Sequence, residues 1–114
     1  LASSAHGARP ASMEGAGPAE TARGVMIITA NGEYGTLVVD GLPVLPEEQQ
    51  YQLWLVRGSE RRSAGVFSVD GEGYGTLVMT VPADFRDFRA LGVSVEPAGG
   101  SAAPTGPRVM GGAL

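Results

Sequence analysis

The chain has 114 residues, of which 43% are hydrophobic, so it can form one compact domain, and this composition argues against wholesale disorder. Its formal net charge of -4 argues against general binding to nucleic acid, which requires clustered positive charge. The absence of cysteine excludes disulfides, thiolate metal sites and cysteine nucleophiles, while the 18 glycines and 8 prolines favour short strands joined by turns.

Residues 1–22 contain almost no large hydrophobic side chain besides Leu1 and Met13. Small and polar residues of this kind bury too little surface to offset the entropy lost on ordering, so the segment is predicted to be a flexible linker. An alanine-rich helix is the alternative, but glycine and proline interrupt each possible turn. The folded domain is therefore predicted to extend over residues 23–114.

A hairpin is predicted at the start of this domain. The branched residues 25–29 form one strand, Asn31-Gly32 is a strong tight-turn signal, and residues 34–39 return as the second strand. A connection interrupted by prolines, residues 40–48, leads to the next strand.

The apolar run Tyr51–Val56 holds the only tryptophan and is predicted to be a buried central strand, because turn-forming residues bound it on both sides. Its alternation gives two faces, one with Tyr51, Leu53 and Leu55 and the other with Gln52, Trp54 and Val56. Both faces are largely apolar, although only one face of a strand in a two-layer sandwich packs inward. Either the proline-rich loops at 40–50 and 97–107 cover the second face, or that face binds a partner. Loop cover is favoured because exposed apolar patches of this size are uncommon on monomers.

A second hairpin is predicted from residues 64–69, a turn at 70–73 and residues 74–79. The segment Tyr-Gly-Thr-Leu-Val occurs at residues 34–38 and again at 74–78. The two hairpins are therefore candidates for similar positions in a two-sheet structure. A chance echo is the alternative, since this composition favours such segments.

The C-terminal part is predicted to hold one helical turn and two strands. Residues 82–90 form the turn, with Asp84 as its cap and with Phe85 and Phe88 facing the core. Residues 91–96 and 108–110 follow as strands. The predicted fold class is all-β: an antiparallel β-sandwich of about six to eight short strands, immunoglobulin-like, with at most one short helical turn.

No catalytic, cofactor-binding or metal-binding residue is predicted, and the protein is not expected to be an enzyme. The only histidine, His6, lies in the predicted linker and lacks the partners of a copper site or a catalytic triad. The acidic turn at residues 70–72 lacks the full ligand spacing of a calcium loop and is explained by a β-turn. The adjacent Glu47 and Glu48 point their carboxylates apart, which disfavours paired acid–base chemistry.

Arg57, Arg61 and Arg62 form the one basic cluster of the sequence. They lie beside Glu60 in a polar turn predicted over residues 57–62. A solvated hairpin tip is favoured over an anion-binding site.

Glu96 ends an apolar strand and precedes Pro97. Its carboxylate is predicted to accept hydrogen bonds from the backbone amides of Gly99 and Gly100. Such a latch is structural, and replacing Glu96 by glutamine is expected to lower stability by about 1–3 kcal/mol.

Several short segments stand in one order along the chain: Gly-Leu-Pro at 41–43, Tyr-Gln-Leu-Trp-Leu at 51–55, Ser-Ala-Gly-Val-Phe at 63–67, Val-Ser-Val-Glu-Pro-Ala-Gly-Gly-Ser at 93–101 and Pro-Thr-Gly-Pro at 104–107. In this order they resemble the C-terminal domain of the anti-sigma-K factor (RskA-like) family of bacterial anti-sigma factors. The resemblance covers essentially the whole predicted domain. The residues that carry it are interpreted as structural framework: Tyr51, Gln52, Trp54, Gly65, Phe67, Glu96, Pro97, Gly99, Gly100 and Pro104.

The resemblance implies a single-pass membrane protein with this domain on the extracytoplasmic face of the bacterial cell membrane, and soluble when separated. A cytoplasmic N-terminal domain, outside this sequence, would bind an ECF-type sigma factor and keep it from RNA polymerase. Membrane proteases would release the sigma factor by regulated intramembrane proteolysis. The membrane helix is expected upstream, since Leu1 is not an initiator methionine and no apolar run here approaches the ~20 residues that span a bilayer. No cofactor is implied.

Two hypotheses of function follow. In the first, the domain regulates through protein contacts or by hindering a site-1-type protease at the juxtamembrane segment. In the second, it is a stand-alone exported sandwich that binds a small molecule, glycan or protein partner in a pocket around the Trp54 strand. A hydrolase with an unrecognised site ranks last, because candidate catalytic groups are scarce.

Overall fold

The computed structural model describes residues 9–114 and shows an all-β antiparallel sandwich, as predicted. Eight strands form one continuous hydrogen-bonded sheet that nearly closes on itself, because its two end strands come into contact. No helix in this part of the chain is long and apolar enough to cross a membrane. The strands are β1 (Arg9–Gly15), β2 (Arg23–Ile28), β3 (Tyr34–Asp40), β4 (Gln49–Arg57), β5 (Glu60–Phe67), β6 (Gly75–Thr80), β7 (Ala90–Pro97) and β8 (Arg108–Ala113), and short 3-10 turns span Gly17–Ala19 and Phe85–Asp87.

The strand order in the sheet is β5-β4-β7-β8-β1-β2-β3-β6, and all neighbours are antiparallel. Strands β5 and β6 are thus the two ends of the sheet. The core lies between the two halves of the curled sheet, with buried Met26, Leu37 and Val39 from one half and Leu53, Leu91 and Val93 from the other.

The first predicted hairpin is confirmed. Strands β2 and β3 pair from Arg23 opposite Asp40 to Ile28 opposite Gly35. In the turn, the Asn31 side-chain oxygen accepts hydrogen bonds from Thr29 Oγ1 at 2.7 Å and from the Glu33 N–H at 3.0 Å. Gly32 supplies the positive φ of 75° that this tight turn requires.

The second predicted hairpin is wrong. Strand β5 pairs with β4 across a turn at Gly58, whereas β6 pairs with β3 at the far end of the sheet. The two Tyr-Gly-Thr-Leu-Val segments are therefore antiparallel neighbours, with Leu37 opposite Leu77. Residues 60–62, predicted to be part of a turn, extend β5 instead, because charged side chains are compatible with an end strand that faces solvent.

The structure also corrects the predicted linker. Residues 9–15 form β1, which lies between β8 and β2 in the middle of the sheet. Met13, Ala19 and Ala22 are buried. Composition alone misses this strand because its stability comes from long-range partners, including six cross-strand pairs with β2 that satisfy its backbone. The remaining part of the predicted linker, residues 1–8 with His6, lies outside the described residues.

Strand β4 is flanked by β5 and β7 and is buried on both faces, as predicted for Tyr51–Val56. Tyr51, Leu53 and Leu55 belong to the core cluster. Alternation along the strand then directs Gln52 and Trp54 to the opposite face of the sheet.

The predicted helical turn is a single 3-10 turn, Phe85–Asp87. Phe88 is buried and Phe85 packs against the core, as predicted. Asp84, however, makes no side-chain capping bond. Its two carboxylate oxygens accept hydrogen bonds from the Arg62 guanidinium at 2.8 and 3.0 Å, a charge-assisted pair that is stronger than a cap.

Candidate functional site

Four polar or amphipathic side chains lie together on the outer face of β4 and β7. Gln52 on β4 is opposite Ser94 on β7, and Trp54 and Glu96 are the next outward-facing residues along the two strands. All four are almost completely buried: Gln52, Trp54 and Ser94 are 2% exposed and Glu96 is 1% exposed. The segment that joins β7 to β8, residues 98–107, forms hydrogen bonds with two of them, Gln52 and Glu96, and is called the β7–β8 loop below.

The carboxylate of Glu96 is the centre of this arrangement. It accepts hydrogen bonds from Ser94 Oγ at 2.5 Å, Ser101 Oγ at 2.8 Å and Thr105 Oγ1 at 2.5 Å. The Thr105 N–H lies 3.1 Å from both carboxylate oxygens, and the Gly106 N–H lies 3.3 Å from one of them. A single side chain on β7 therefore holds both the middle and the end of the β7–β8 loop.

These hydrogen bonds determine the charge state of Glu96. Burial alone would raise the pKa of the carboxyl, but the donors on Ser94, Thr105 and Ser101 outweigh it and lower the pKa to about 2. All of these donors are neutral, so the anion is stabilised by dipoles instead of a counter-ion. Glu96 is consequently ionised at any physiological pH.

The predicted latch at Glu96 exists, but the predicted donors are wrong. The Gly99 N–H donates to Gln50 Oε1 at 2.9 Å, and the Gly100 N–H closes the turn by donating to the Pro97 carbonyl at 2.9 Å. Both glycines have φ near 92°, and their N–H groups are already engaged by acceptors other than the carboxylate. Glu96 instead meets the second half of the loop.

Gln52 makes the other main attachment of the β7–β8 loop. Its Oε1 accepts a hydrogen bond from the Ser101 N–H at 2.8 Å, and its Nε2 donates to the Ser101 carbonyl at 3.1 Å and to Ser63 Oγ at 2.7 Å. Gly100 approaches so closely that a Cβ there would lie 2.8 Å from Val66 Cγ1 and 3.1 Å from Gln52 Oε1. The predicted cover of the second face by residues 97–107 is thus confirmed.

Trp54 is connected to the same network through Ser94. The indole Nε1–H donates to Ser94 Oγ at 2.9 Å, and the Ser94 hydroxyl donates to Glu96. No buried side-chain N or O atom among residues 10–114 lacks a hydrogen-bond partner. Because Trp54 is buried, its ring is not available to line the ligand pocket that the second hypothesis requires.

Of the other loop predicted to cover this face, residues 40–50, only the end reaches the β7–β8 loop, where the Ala98 N–H donates to the Glu48 carbonyl at 2.8 Å. The Tyr51 hydroxyl donates to the Pro43 carbonyl, and Leu42 is buried in the core. Since Tyr51 points inward, this loop closes one end of the core. It does not contribute to the hydrogen bonds of Glu96 or Gln52.

The remaining framework residues act in packing and turns. Tyr51 stacks on Phe67 with ring centroids 5.6 Å apart. Gly65 lies at a bulge in the β4–β5 pairing with φ of 135°, and Leu77 packs closely against it. Pro97 ends β7, and Pro104 lies exposed in the β7–β8 loop.

The basic cluster is paired with carboxylates. The Cζ atoms of Arg57 and Arg62 lie 4.5 and 4.8 Å from the centre of the Phe88 ring, a cation–π arrangement. Hydrogen bonds from Arg57 and Arg62 lower the pKa values of Glu60 and Asp84 respectively. The shortest ion-pair distances of the two guanidiniums are 2.8 Å to Glu60 and Asp84, and 3.5 Å to Asp87. Neutralisation by these side chains argues against an anion site.

The acidic turn at residues 70–72 is a β-turn, as predicted. Asp70 Oδ1 accepts hydrogen bonds from the N–H groups of Glu72 at 2.9 Å and Tyr74 at 3.0 Å, so this oxygen is already engaged. Among the described residues, no group of three His, Cys, Asp or Glu side chains is placed to hold a metal ion.

Sequence analysis singled out Glu96 and Gln52 but missed the side chains that complete the network, Ser94, Ser101 and Thr105. Only Ser94 carried a usable signal, because a two-residue spacing places it on the same face of β7 as Glu96. Chemically, a carboxylate with so many donors and a low pKa is a poor proton donor or acceptor near neutral pH. The site is an anchor for the β7–β8 loop.

Comparison with known proteins gives two matches. A model of the family described as "Anti-sigma-K factor rskA, C-terminal" matches residues 2–108. The chain is also 38% identical over 73 residues to a protein named Anti-sigma-K factor RskA from Mycolicibacterium vanbaalenii. That match covers 64% of the chain but 30% of the relative, so the chain spans less than a third of the relative's length. No solved structure matches the chain.

Proposed function

Because the chain belongs to the family of anti-sigma-K factor RskA C-terminal domains, we propose that it is the extracytoplasmic regulatory domain of a membrane-anchored anti-sigma factor, and that it controls the release of an ECF-type sigma factor by limiting proteolysis. Membership in this family supports an anti-sigma, regulatory role for the protein. The sigma factor would be bound by a part of the protein outside this sequence. The proteases would act on the segment that links the domain to the membrane.

The observation that carries the proposal is the position of β1. This strand is the first described part of the chain, yet it lies in the middle of the sheet, with six paired residues on β2 and two on β8. A protease needs an extended and accessible backbone, and residues 9–15 are withheld from a protease while the sheet stays intact. The folded domain would thus limit cleavage of its own upstream segment.

The hydrogen bonds that hold the β7–β8 loop could control whether β1 is accessible to a protease. The β7–β8 loop leads directly into β8, and β8 contacts the β1 segment through pairs with Glu14 and Gly15 and through the Ala16 N–H, which donates to the Val109 carbonyl at 2.8 Å. Loss of the Glu96 and Gln52 attachments would free the start of β8. Weakening of the β8–β1 contact would follow, and β1 would become accessible.

A cross-strand disulfide between β1 and β2 tests the proposal in the full-length protein. The Gly15 N–H donates to the Ala22 carbonyl at 3.0 Å, so alternation makes Ser12 and Val25 a non-hydrogen-bonded pair, with Cα atoms about 4.5 Å apart. This separation suits a disulfide, and the chain has no other cysteine. Oxidised Ser12→Cys/Val25→Cys protein should be cleaved more slowly than its reduced form and should lower sigma-dependent transcription.

Two further forms complete the experiment. Deletion of residues 23–114, which leaves the β1 segment without its partner strands, should give cleavage without a stimulus. A disulfide at Val38→Cys/Thr76→Cys, which joins β3 to β6 and leaves β1 free, is the matched control. Equal cleavage of the locked, reduced and deleted forms would rule out protease gating by this domain.

A further inference from the structure

The two end strands of the sheet differ in how they are protected against pairing with another chain. Strand β5 carries Glu60, Arg61 and Arg62 and contains a bulge at Gly65, and charges and bulges are features that prevent edge pairing. Strand β6, Gly75–Thr80, has neither charge nor proline, and its register with β3 is regular. Strand β5 therefore has features that prevent pairing with another chain, and strand β6 lacks them.

The pairing with β3 shows which backbone groups of β6 remain free. The Val81 N–H donates to the Glu33 carbonyl at 2.9 Å, which fixes the alternation of hydrogen-bonded pairs in this ladder. Gly75, Leu77 and Met79 therefore direct their N–H and C=O groups toward β3. The same groups of Thr76, Val78 and Thr80 point to the open edge, and among the described strands β6 pairs with β3 alone.

Side-chain exposure agrees with an open edge. Thr76, Val78 and Thr80 are exposed, and Val78, at 66%, is the most exposed large hydrophobic residue of the described chain. Strand β5 contacts β6 without forming a hydrogen-bonded pair with it, and in this contact Gly65 lies against the Leu77 side chain.

The Thr-Leu-Val segment of β6 can pair with a second copy of the same segment in antiparallel fashion. The fold already contains such a pair, between β3 and β6. In the β3–β6 ladder, Thr36 is opposite Val78, Leu37 is opposite Leu77, and Val38 is opposite Thr76. Both strands contribute the same Thr-Leu-Val segment to these pairs. An antiparallel β6–β6 pair between two copies of the chain, with Leu77 opposite Leu77 on the two-fold axis, would reproduce all three pairs.

From these observations we infer that β6 is the interface of a homodimer, formed by antiparallel pairing of the open edges of two copies. The outward N–H and C=O groups of Thr76 and Val78 supply the backbone hydrogen bonds. Assembly stops at two copies because β5, the other end of the sheet among the described strands, carries charged residues and a bulge that disfavour pairing. The inference is independent of the proposed function, since it uses the chain by itself.

Sedimentation equilibrium over increasing concentrations of the chain tests the dimer. The chain should pass from monomer to dimer, and Val78→Lys should weaken association at least about tenfold, because a lysine gains nothing in the pair and repels its equivalent across the axis. Val44→Lys is the control, because Val44 is 59% exposed and lies in the loop between β3 and β4, outside strand β6. A chain that stays monomeric, forms larger assemblies, or responds equally to both variants would overturn the inference.

Disulfide cross-linking tests the register of the β6–β6 pair. The substituted side chains are exposed, so their replacement by cysteine should not disturb the fold. Thr76 of one copy is expected opposite Val78 of the other, with Cα atoms about 5.5 Å apart. A mixture of Thr76→Cys and Val78→Cys chains should therefore form the mixed disulfide dimer in excess over either homodimer. Thr80→Cys should cross-link poorly with itself. A statistical mixture of dimers, or fast self-linking of Thr80→Cys, contradicts this register and interface.

Discussion

The side-chain amide of Gln52 pairs at two points with the backbone of Ser101, 49 positions later in the chain. Its oxygen accepts from the Ser101 N–H at 2.8 Å, and its nitrogen donates to the Ser101 carbonyl at 3.1 Å. This two-way exchange is what a neighbouring strand would offer to the backbone of Ser101. A side chain on β4 thereby takes the place of a strand and holds the middle of the β7–β8 loop.

Replacing Gln52 by glutamate should destabilise the domain, because the amide donor becomes an acceptor that faces the Ser101 carbonyl. We expect a loss of about 1–3 kcal/mol in the free energy of unfolding at neutral pH. The loss should shrink under mildly acidic conditions, where an unpaired buried carboxyl takes up a proton. Urea denaturation at both pH values checks this, with exposed Gln49→Glu as the control. Equal effects at the two positions would contradict the role of Gln52.

The two glycines of the loop give a matched pair. Gly99 and Gly100 have φ of 92° and 93°, so alanine is strained at either position. A Cβ at Gly99 meets nothing within 4 Å, whereas one at Gly100 lies 2.8 Å from Val66 Cγ1. Gly100→Ala should therefore cost more than Gly99→Ala, by on the order of 1 kcal/mol in the free energy of unfolding. Identical denaturation midpoints would show that the loop is not pressed against β4 and β5.

Glu96→Gln should lower the free energy of unfolding by about 1–3 kcal/mol, because an amide is a weaker acceptor and its NH₂ group faces donors that are already present. Glu72→Gln, in an exposed turn, is the control. Urea denaturation near neutral pH measures the difference. A midpoint unchanged from that of the control would remove the proposed anchor.

The contribution of Glu96 to the free energy of unfolding should also decrease as the pH falls. Its pKa is about 2 in the folded chain, against an ordinary value of 4.5, so the unfolded chain binds more protons between these values. The stabilisation, on the order of 3 kcal/mol, is fully present above the unfolded pKa and is lost as pH falls toward 2. The stability difference between the unsubstituted chain and Glu96→Gln should therefore narrow with falling pH. A constant difference from neutral pH to pH 2 would contradict this.

Ser94→Ala should affect both Trp54 and Glu96, since the serine hydroxyl connects them. The buried indole N–H would lose its partner, at a cost of about 1–3 kcal/mol. Trp54 is the only tryptophan, so its fluorescence reports the local change directly. Ser59→Ala, on an exposed turn, should alter neither fluorescence nor stability. An emission spectrum unchanged by Ser94→Ala would show that the indole does not depend on this bond.

The parts of the structure that could be predicted from the sequence are those set by local pattern. Asn31-Gly32 predicted its hairpin, and the alternation around Trp54 predicted the two faces of β4. The parts that could not be predicted depend on long-range partners. The sequence of residues 9–15 has no local strand signal, and the strand forms because β2 and β8 pair with it. Which groups donate to Glu96 depends on the path that the β7–β8 loop takes after the glycine turn.

The error in the second hairpin has the same origin. Residues 64–69 and 74–79 satisfy every local rule for a hairpin, with turn-forming residues between them. Pairing is decided instead by which neighbour offers the better cross-strand contacts, and β6 finds an identical Thr-Leu-Val segment on β3. Local signals located the strands, while tertiary contacts chose their partners.

The central position of β1 has a mechanical consequence. A pulling force applied to the chain upstream of Arg9 would act along β1, in the direction of the strand and across its bonds to β2 and β8. Under such shear the six β1–β2 pairs share the load and must yield nearly together, whereas an end strand peeled from the sheet yields one pair at a time. Removal of β1 would also divide the sheet between β8 and β2. A domain built in this way resists tension up to a threshold and then opens as a whole.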